Sequence, residues 1–276
     1  MSSLWANITA SSKSFLTLPL GQKSTPNAPE EPRLLPSSGF TTISNDQLVE
    51  EEELPDYRAE RFYPVRLGEI FYNHYQIVAK LGFGSSSTTW LARDLIARQY
   101  VALKVYVHTL LVHREIPFYH HIASRIADSS HRGQNNIRRL LDSFELNGTH
   151  SKYVILVFEA AQMSLRDMRV VFRRDGFDED FVKGAIIELL QALDFLHSQG
   201  EVVHTDIHPG NMLLGVYDNN LLKNLEEKES TSPVPRKLVP SSRTIYLSRL
   251  MRPRKVQCCY LTLARPGSAQ DLMVVT

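Results

Sequence analysis

From Tyr63 to Leu214 the chain alternates short apolar runs with polar turns, a rhythm that predicts a sheet followed by helices. Tyr75-Gln76-Ile77-Val78-Ala79, Thr88-Thr89-Trp90-Leu91-Ala92 and Tyr100-Val101-Ala102-Leu103-Lys104-Val105-Tyr106 read as three successive strands. Ile137 to Phe144 and Tyr153 to Phe158 add two more, giving a five-stranded sheet. One helix accompanies it, starting near Glu115 and running towards Ile126; Pro117 is tolerable only in its first turn. Glu159-Ala160-Ala161-Gln162-Met163 shows no clear period and reads as a hinge, after which Ser164 can cap a short helix reaching about Phe172. Asp178 to His197 carries the clearest helical pattern. Phe181, Val182, Ala185, Ile186, Leu189, Leu190, Leu193 and Leu196 line one face, with Asp178 as N-cap and Gly200 placed to end the helix. Val202-Val203 and Met212-Leu213-Leu214 then bracket a polar loop, the arrangement of a strand, a functional loop and a second strand.

Outside this span the pattern lapses. Residues 1–60 are rich in Ser, Thr and Pro, broken by Pro26, Pro29, Pro32 and Pro36, and carry the acidic run Glu50 to Glu53. They predict a disordered leader whose acidic run is a solvated linker. Asn219 to Ser242 is polar and Pro-containing and reads as a spacer; Thr244-Ile245-Tyr246-Leu247-Ser248 looks like a returning strand. The domain reading is therefore 1–60 leader, 61–160 β-rich unit, 161–214 helical unit with the polar loop, and 215–276 insert and tail.

Composition narrows this only a little. A chain of 276 residues, 43% hydrophobic and with net charge +1, is ordinary globular material, and its charge gives no reason to expect nucleic acid. Cys258 and Cys259 are adjacent, which disfavours a disulfide and fits a reducing compartment such as cytoplasm or nucleus. No apolar run approaches the ~20 residues that a membrane-spanning helix needs. The first 29 residues lack acids, as in a mitochondrial transit peptide, but they also lack Arg.

Candidate chemistry sits at three places. Gly82-Phe83-Gly84-Ser85-Ser86-Ser87 joins two strands; its glycines let the backbone approach a ligand, and its hydroxyls can reach phosphate oxygens. Lys104 lies in an apolar strand, where an ammonium needs an anion. Glu115 is the only acid between Lys104 and Asp128 and is the candidate partner, with a helix-start cap as its other reading. In His204-Thr205-Asp206-Ile207-His208-Pro209-Gly210-Asn211, Asp206 and Asn211 stand five positions apart. That interval suits phosphoryl transfer, the Asp taking a hydroxyl proton and the Asn oxygen holding Mg²⁺; a plain surface turn has the same composition.

These parts in this order resemble the eukaryotic protein kinases. Leu81-Gly82-Phe83-Gly84-Ser85-Ser86-Ser87-Thr88-Thr89-Trp90 and His204-Thr205-Asp206 look like the fungal relatives of SR-protein kinases, which phosphorylate serines of Arg/Ser-rich proteins. The resemblance implies an α+β, two-lobed protein-kinase-like fold with a complete β-rich N-lobe and an incomplete helical C-lobe. It implies ATP and Mg²⁺ as cofactors and an Arg/Ser-rich, splicing-related protein as substrate, with no nucleic acid or membrane partner. Leu81 to Ser87, Thr89 and Ala102 would enclose the nucleotide, with Lys104 on its phosphates and paired to Glu115. Phe158 would be the gatekeeper, and the backbone of Glu159 to Ala161 would hold adenine. Asp206 would be the catalytic base, Asn211 a metal ligand, and His208 would stand where a lysine normally meets the transferring phosphate.

The ending departs from the family. No Asp-Phe-Gly follows Asn211, so the chain looks truncated near that position. Cys259-Tyr260-Leu261-Thr262-Leu263-Ala264-Arg265 falls about where the motif belongs, which would set Tyr260, a poor metal ligand, at the Asp position. The apolar helix Asp178 to His197 should then be partly exposed. His-Pro-Gly-Asn also occurs in kinases of small molecules of the aminoglycoside and choline type. Three readings follow: a Ser/Thr protein kinase, a nucleotide-binding pseudokinase, and a small-molecule phosphotransferase.

Overall fold

The structure is a computed structural model that describes residues 28–107, 115–148, 151–173, 175–216, 218–239, 243–251 and 259–262. Its largest element is an antiparallel sheet of six strands: β1 (Ile70–Phe71), β2 (Tyr75–Gly84), β3 (Ser87–Asp94), β4 (Gln99–Tyr106), β5 (Leu140–Asn147) and β6 (Lys152–Glu159). Their order in the sheet is β1-β2-β3-β4-β6-β5. Five strands match the expected ones, and β1 is a two-residue addition at the edge. Ile77, Leu103, Ile155 and Val157 are buried on one face, while Leu156 and Phe158 turn to the other, as period-two alternation requires. Helix α1 (Glu115–Ala127) sets Tyr119 and Ile122 against that second face.

A second, smaller unit follows without a break. Only Ala160 separates β6 from β7 (Ala161–Ser164), so the expected aperiodic hinge is mostly strand. Ser164 accepts a hydrogen bond from the amide of Asp167 and caps α2 (Leu165–Val171). Asp178 does the same for α3 (Glu179–Ser198) through the amide of Phe181. Strand β8 (Met212–Gly215) pairs with β7 on one side and with β11 (Cys259–Leu261) on the other. Val202 and Val203 form no strand of their own; Val202 is buried in the core beside Leu196 and Leu214. Helix α3 buries Ala185, Ala192, Phe195 and Leu196 but leaves Val182, Ile186, Ile187 and Leu190 exposed, Leu190 at 58%. The expected open apolar face is present.

Two expectations fail. The spacer contains α4 (Asn219–Thr231), capped by Asp218, whose Leu222 and Leu225 pack with Val78, Ala79 and Leu91 of the sheet. A narrow stripe of leucines, with Leu221 at its edge, suffices in a polar stretch once a sheet face is there to receive it. The hairpin β9 (Arg236–Val239) and β10 (Arg243–Tyr246) follows, and Tyr246 packs edge-on against Trp90.

Nor is the whole leader free; residues 28–62 pack on the sheet, while residues 1–27 lie outside the described ones. The acidic run is not a solvated linker. Glu51 is buried between Lys80, to which it is hydrogen-bonded, and Arg243 at 3.0 Å. Glu50 lies 3.2 Å from Lys80 and accepts from the amide and hydroxyl of Ser248; Glu52 meets Lys237 at 2.8 Å. Around α4, Glu229 takes Arg249 at 2.9 Å and Arg236 at 3.5 Å, and Glu226 takes Arg33 at 2.8 Å. Buried carboxylates hold here because each has a cation and hydrogen bonds in place of water. Among the described residues, no helix is long and apolar enough to cross a membrane.

Candidate active site

The glycine turn is a β2–β3 hairpin whose register runs Gly82↔Thr89, Phe83↔Thr88 and Gly84↔Ser87. A Cβ built at Gly82 or Gly84 would meet no atom within 4 Å, so the bareness of these positions serves no internal packing. The space over them is open to a ligand. Phe83 and Ser85 are exposed at the tip, Leu81 and Ser86 half-buried, and Ser87 buried in the β3–β4 ladder opposite Tyr106. The hydroxyls therefore differ in reach, with Ser85 the freest.

Two strands further, Lys104 is registered between Thr89 of β3 and Leu156 of β6. It is half-buried, with Nζ 4.6 Å from the centre of the Tyr106 ring. Glu115 is the first residue of α1, and its side chain lies outside the described ones, so the expected pairing with Lys104 does too.

Ala102 pairs with Leu91 and Phe158, and both Ala102 and Phe158 are buried. Phe158 is held between the Tyr119 ring, centroids 5.2 Å apart, and the guanidinium of Arg138 at 4.8 Å. Arg138 is buried as well, and burial pulls its pKa down to about 10. Its Nε and Nη2 donate to the carbonyl of Glu159 at 3.1 and 2.9 Å. One of the carbonyls expected to hold adenine is thus already engaged. Arg138 carried no sequence signal, since a basic residue before a strand is common.

The polar loop delivers its side chains through β8. His204 is buried and bonded at both ring nitrogens: Nε2 lies 2.8 Å from the carbonyl of Thr262, and Nδ1 accepts from the Asp206 amide at 3.3 Å. One donor and one acceptor describe a neutral imidazole, and burial lowers its pKa accordingly. Thr205 sits at φ +61°, a left-handed conformation costly for a β-branched residue. Strain of this kind persists where surrounding bonds impose it, as at functional loops.

Asp206 is exposed, its side chain at 52%. Asn211 Nδ2 donates to the Asp206 carbonyl at 2.9 Å and to its Oδ2 at 3.1 Å. His208 Nδ1 accepts from the Gly210 amide at 3.0 Å, and its Nε2 lies 3.0 Å from Asn211 Nδ2 and 3.5 Å from the same Oδ2. The Asn211 amide therefore aims the carboxylate, with the His208 ring beside both. A Cβ at Gly210 would lie 2.6 Å from Cε1 of His208, so any larger residue there would have to push the imidazole aside. Asn211 in turn is held by the end of β11. Its carbonyl accepts from the amide of Thr262 at 2.9 Å and from the hydroxyl at 3.2 Å; its Oδ1 is 3.4 Å from that hydroxyl.

This corrects the expected place of Tyr260. Tyr260 pairs with Leu213 inside the β8–β11 ladder, and the residue that meets Asn211 is Thr262. The register of β11 decides the matter, and nothing in the local sequence shows it. Among the described residues, no three His, Cys, Asp or Glu side chains gather where they could hold a metal ion.

Residues 75–224 match the model of the protein kinase domain. That is more than half the chain, and the match runs from β2 through the loop of His204 to Asn211 into α4. The chain belongs to the protein kinase family.

Among curated relatives of this kinase domain, a serine/threonine protein kinase of Aspergillus fumigatus is 36% identical over 228 residues, 83% of this chain and 54% of that protein. SRSF protein kinase 3 of Mus musculus is 34% identical over 204 residues, covering 72% of this chain and 34% of the relative. Protein kinase dsk1 of Schizosaccharomyces pombe is 35% identical over 198 residues, 70% and 36% of the two chains. The chain spans about half or less of the length of these relatives. A crystallised kinase domain superposes with a TM-score of 0.51 at 21% identity, over 73% of this chain and 53% of that one, which supports the two-lobed α+β fold.

Proposed function

We propose that this chain binds ATP and serves transfer of its γ-phosphoryl group to serine or threonine hydroxyls of protein substrates. Arg/Ser-rich, splicing-related proteins are the substrate class we favour, in a cytoplasmic or nuclear setting. The observation that carries the reading is the Asp206 carboxylate, exposed to a substrate yet aimed by Asn211 Nδ2, with the His208 ring 3.5 Å away. In that position it accepts the proton of an attacking hydroxyl. Neutral His204 ties the loop to β11 and keeps the backbone of Asp206 in register. Lys104 and the open glycine hairpin supply a cation and bare backbone for the phosphates. The substrate class follows from relatives named as SRSF and SRPK kinases.

The family implies Mg²⁺ beside the nucleotide. The residues here fit it poorly: Asn211 offers an amide oxygen that faces a hydroxyl, and the site's carboxylate is Asp206. Mg²⁺ is usually held by one or two carboxylates together with the phosphates. This mismatch favours a second reading, a nucleotide-binding domain with little turnover. Incorporation of labelled γ-phosphate into an Arg/Ser peptide, with Asp206→Ala as control, separates the two. Transfer that vanishes in the variant supports the kinase reading; nucleotide binding with transfer equal to that of the control supports the second. Phosphorylation of aminoglycosides or choline in place of the peptide would replace both.

A further inference from the structure

We propose, resting on the nucleotide-binding reading above, that position 262 is the seat of the site's second cation ligand and that Thr262 closes it. The chain then binds adenine nucleotide with almost no help from Mg²⁺. The argument begins with the β8–β11 ladder. Its register Leu261↔Met212 places residue 262 beside Asn211, the residue that precedes β8. Three contacts fix it there: amide to carbonyl at 2.9 Å, hydroxyl to carbonyl at 3.2 Å, and hydroxyl to Oδ1 at 3.4 Å. His204 locks the other side by bonding the Thr262 carbonyl. Side chain 262 thus shares space with the Asn211 amide oxygen, beside the Asp206 loop.

An aspartate there would add a second carboxylate and leave Oδ1 of Asn211 free to face a cation. A threonine hydroxyl does the opposite. It is neutral, and its single proton is directed at the Asn211 oxygens, one of them the lone-pair oxygen a metal would need. Among the described residues, the site is left with one carboxylate, whose Oδ2 already takes the Asn211 amide.

The test is ATP titration of the full chain in EDTA and in Mg²⁺, followed by calorimetry and by the shift in melting temperature. The parent chain is expected to show less than about a twofold change in affinity between the two buffers. Thr262→Asp should gain about tenfold in Mg²⁺, the size of a ~1.4 kcal/mol contact, and Thr262→Asn should gain nothing. Parent binding already tenfold tighter in Mg²⁺, or equal behaviour of the two variants, overturns the proposal. The parent arm decides even where a variant fails to fold. Absence of ATP binding in both buffers overturns the nucleotide-binding reading along with it.

A separate observation concerns the coding sequence. We infer that the missing carboxylate is encoded one nucleotide out of frame. Threonine codons begin AC and alanine codons begin GC. Read from the last base of the Leu261 codon, when that base is G, position 262 becomes GAC, aspartate. Leu263 encoded TTG then yields phenylalanine or leucine, according to whether the Thr262 codon ends in T or C. The final G of that codon with the first two bases of Ala264 yields glycine. With those codons, Leu261-Thr262-Leu263-Ala264 is the frame partner of Asp-Phe-Gly or Asp-Leu-Gly, at the position the ladder singles out independently. Sequencing cDNA across Tyr246 to Ala264 tests it. Codons ending in G at 261, ACT or ACC at 262 and TTG at 263 support the inference; any other codon at one of these three positions overturns it.

Discussion

The charged groups of this chain fall into two regions that are handled in opposite ways. Around the six-stranded sheet, the Lys80, Glu51, Glu226 and Glu229 side chains are each at most 3% exposed and tied to partners. In the loop of His204 to Asn211, the Asp206 and His208 side chains are about half exposed and share one loose contact at 3.5 Å. The first region is a clasp: residues 28–62, 226–239 and 243–251 lie outside residues 75–224 and grip the sheet through paired charge. The second keeps its carboxylate reachable. Charge that holds structure is removed from water and paired, and the charge of the loop is aimed but left wet.

Breaking the clasp should therefore cost stability, and breaking the loop should cost chemistry. The largest stability loss is expected for Glu51→Ala, which leaves buried Lys80 with Glu50 alone and takes from buried Arg243 its carboxylate at 3.0 Å. About 3–5 kcal/mol is the scale for one lost partner of a buried pair, read from denaturant unfolding. Asp206→Ala should leave unfolding within about 0.5 kcal/mol of the parent. It should lower any peptide phosphorylation by about 10²–10⁴-fold, the contribution of a positioned base. Ser164→Ala removes the cap of α2 and should cost about 0.5–2 kcal/mol.

A pH titration sharpens the contrast. Burial depresses the pKa of His204 in the folded chain, so the unfolded chain takes up the proton first. Stability is then full above the ordinary histidine pKa of about 6.5 and falls as pH drops from there towards the folded value. His204→Gln should flatten that slope in thermal melts taken between about pH 5 and 7. The smallest stability effect, about ±0.5 kcal/mol, belongs to Leu190→Lys on the open face of α3. Its signature should be a larger monomer peak in gel filtration, because that face favours self-association.

Much of the sheet and the site was legible because its signals are local. Alternation reported β2 to β6, capping residues reported α2 and α3, and spacing reported Asp206 with Asn211. The clasp was not legible, because Glu51 is paired with residues 29 and 192 positions away and a run of acids looks solvated until its cations are found. Helix α4 escaped for a related reason: only the received face, Leu222 and Leu225 with Leu221 at its margin, is apolar. Thr262 escaped because the partner of Asn211 depends on the β8–β11 register, which no local pattern encodes.

The central claim is that ATP lies under the glycine hairpin with its phosphates on Lys104. Calorimetric titration of ATP into the full chain and into Lys104→Met tests it most directly. The account predicts measurable heat for the parent and at least about a tenfold weaker affinity for the variant, the equivalent of ~1.4 kcal/mol. Equal affinities in two folded proteins, or no heat in either, would contradict it.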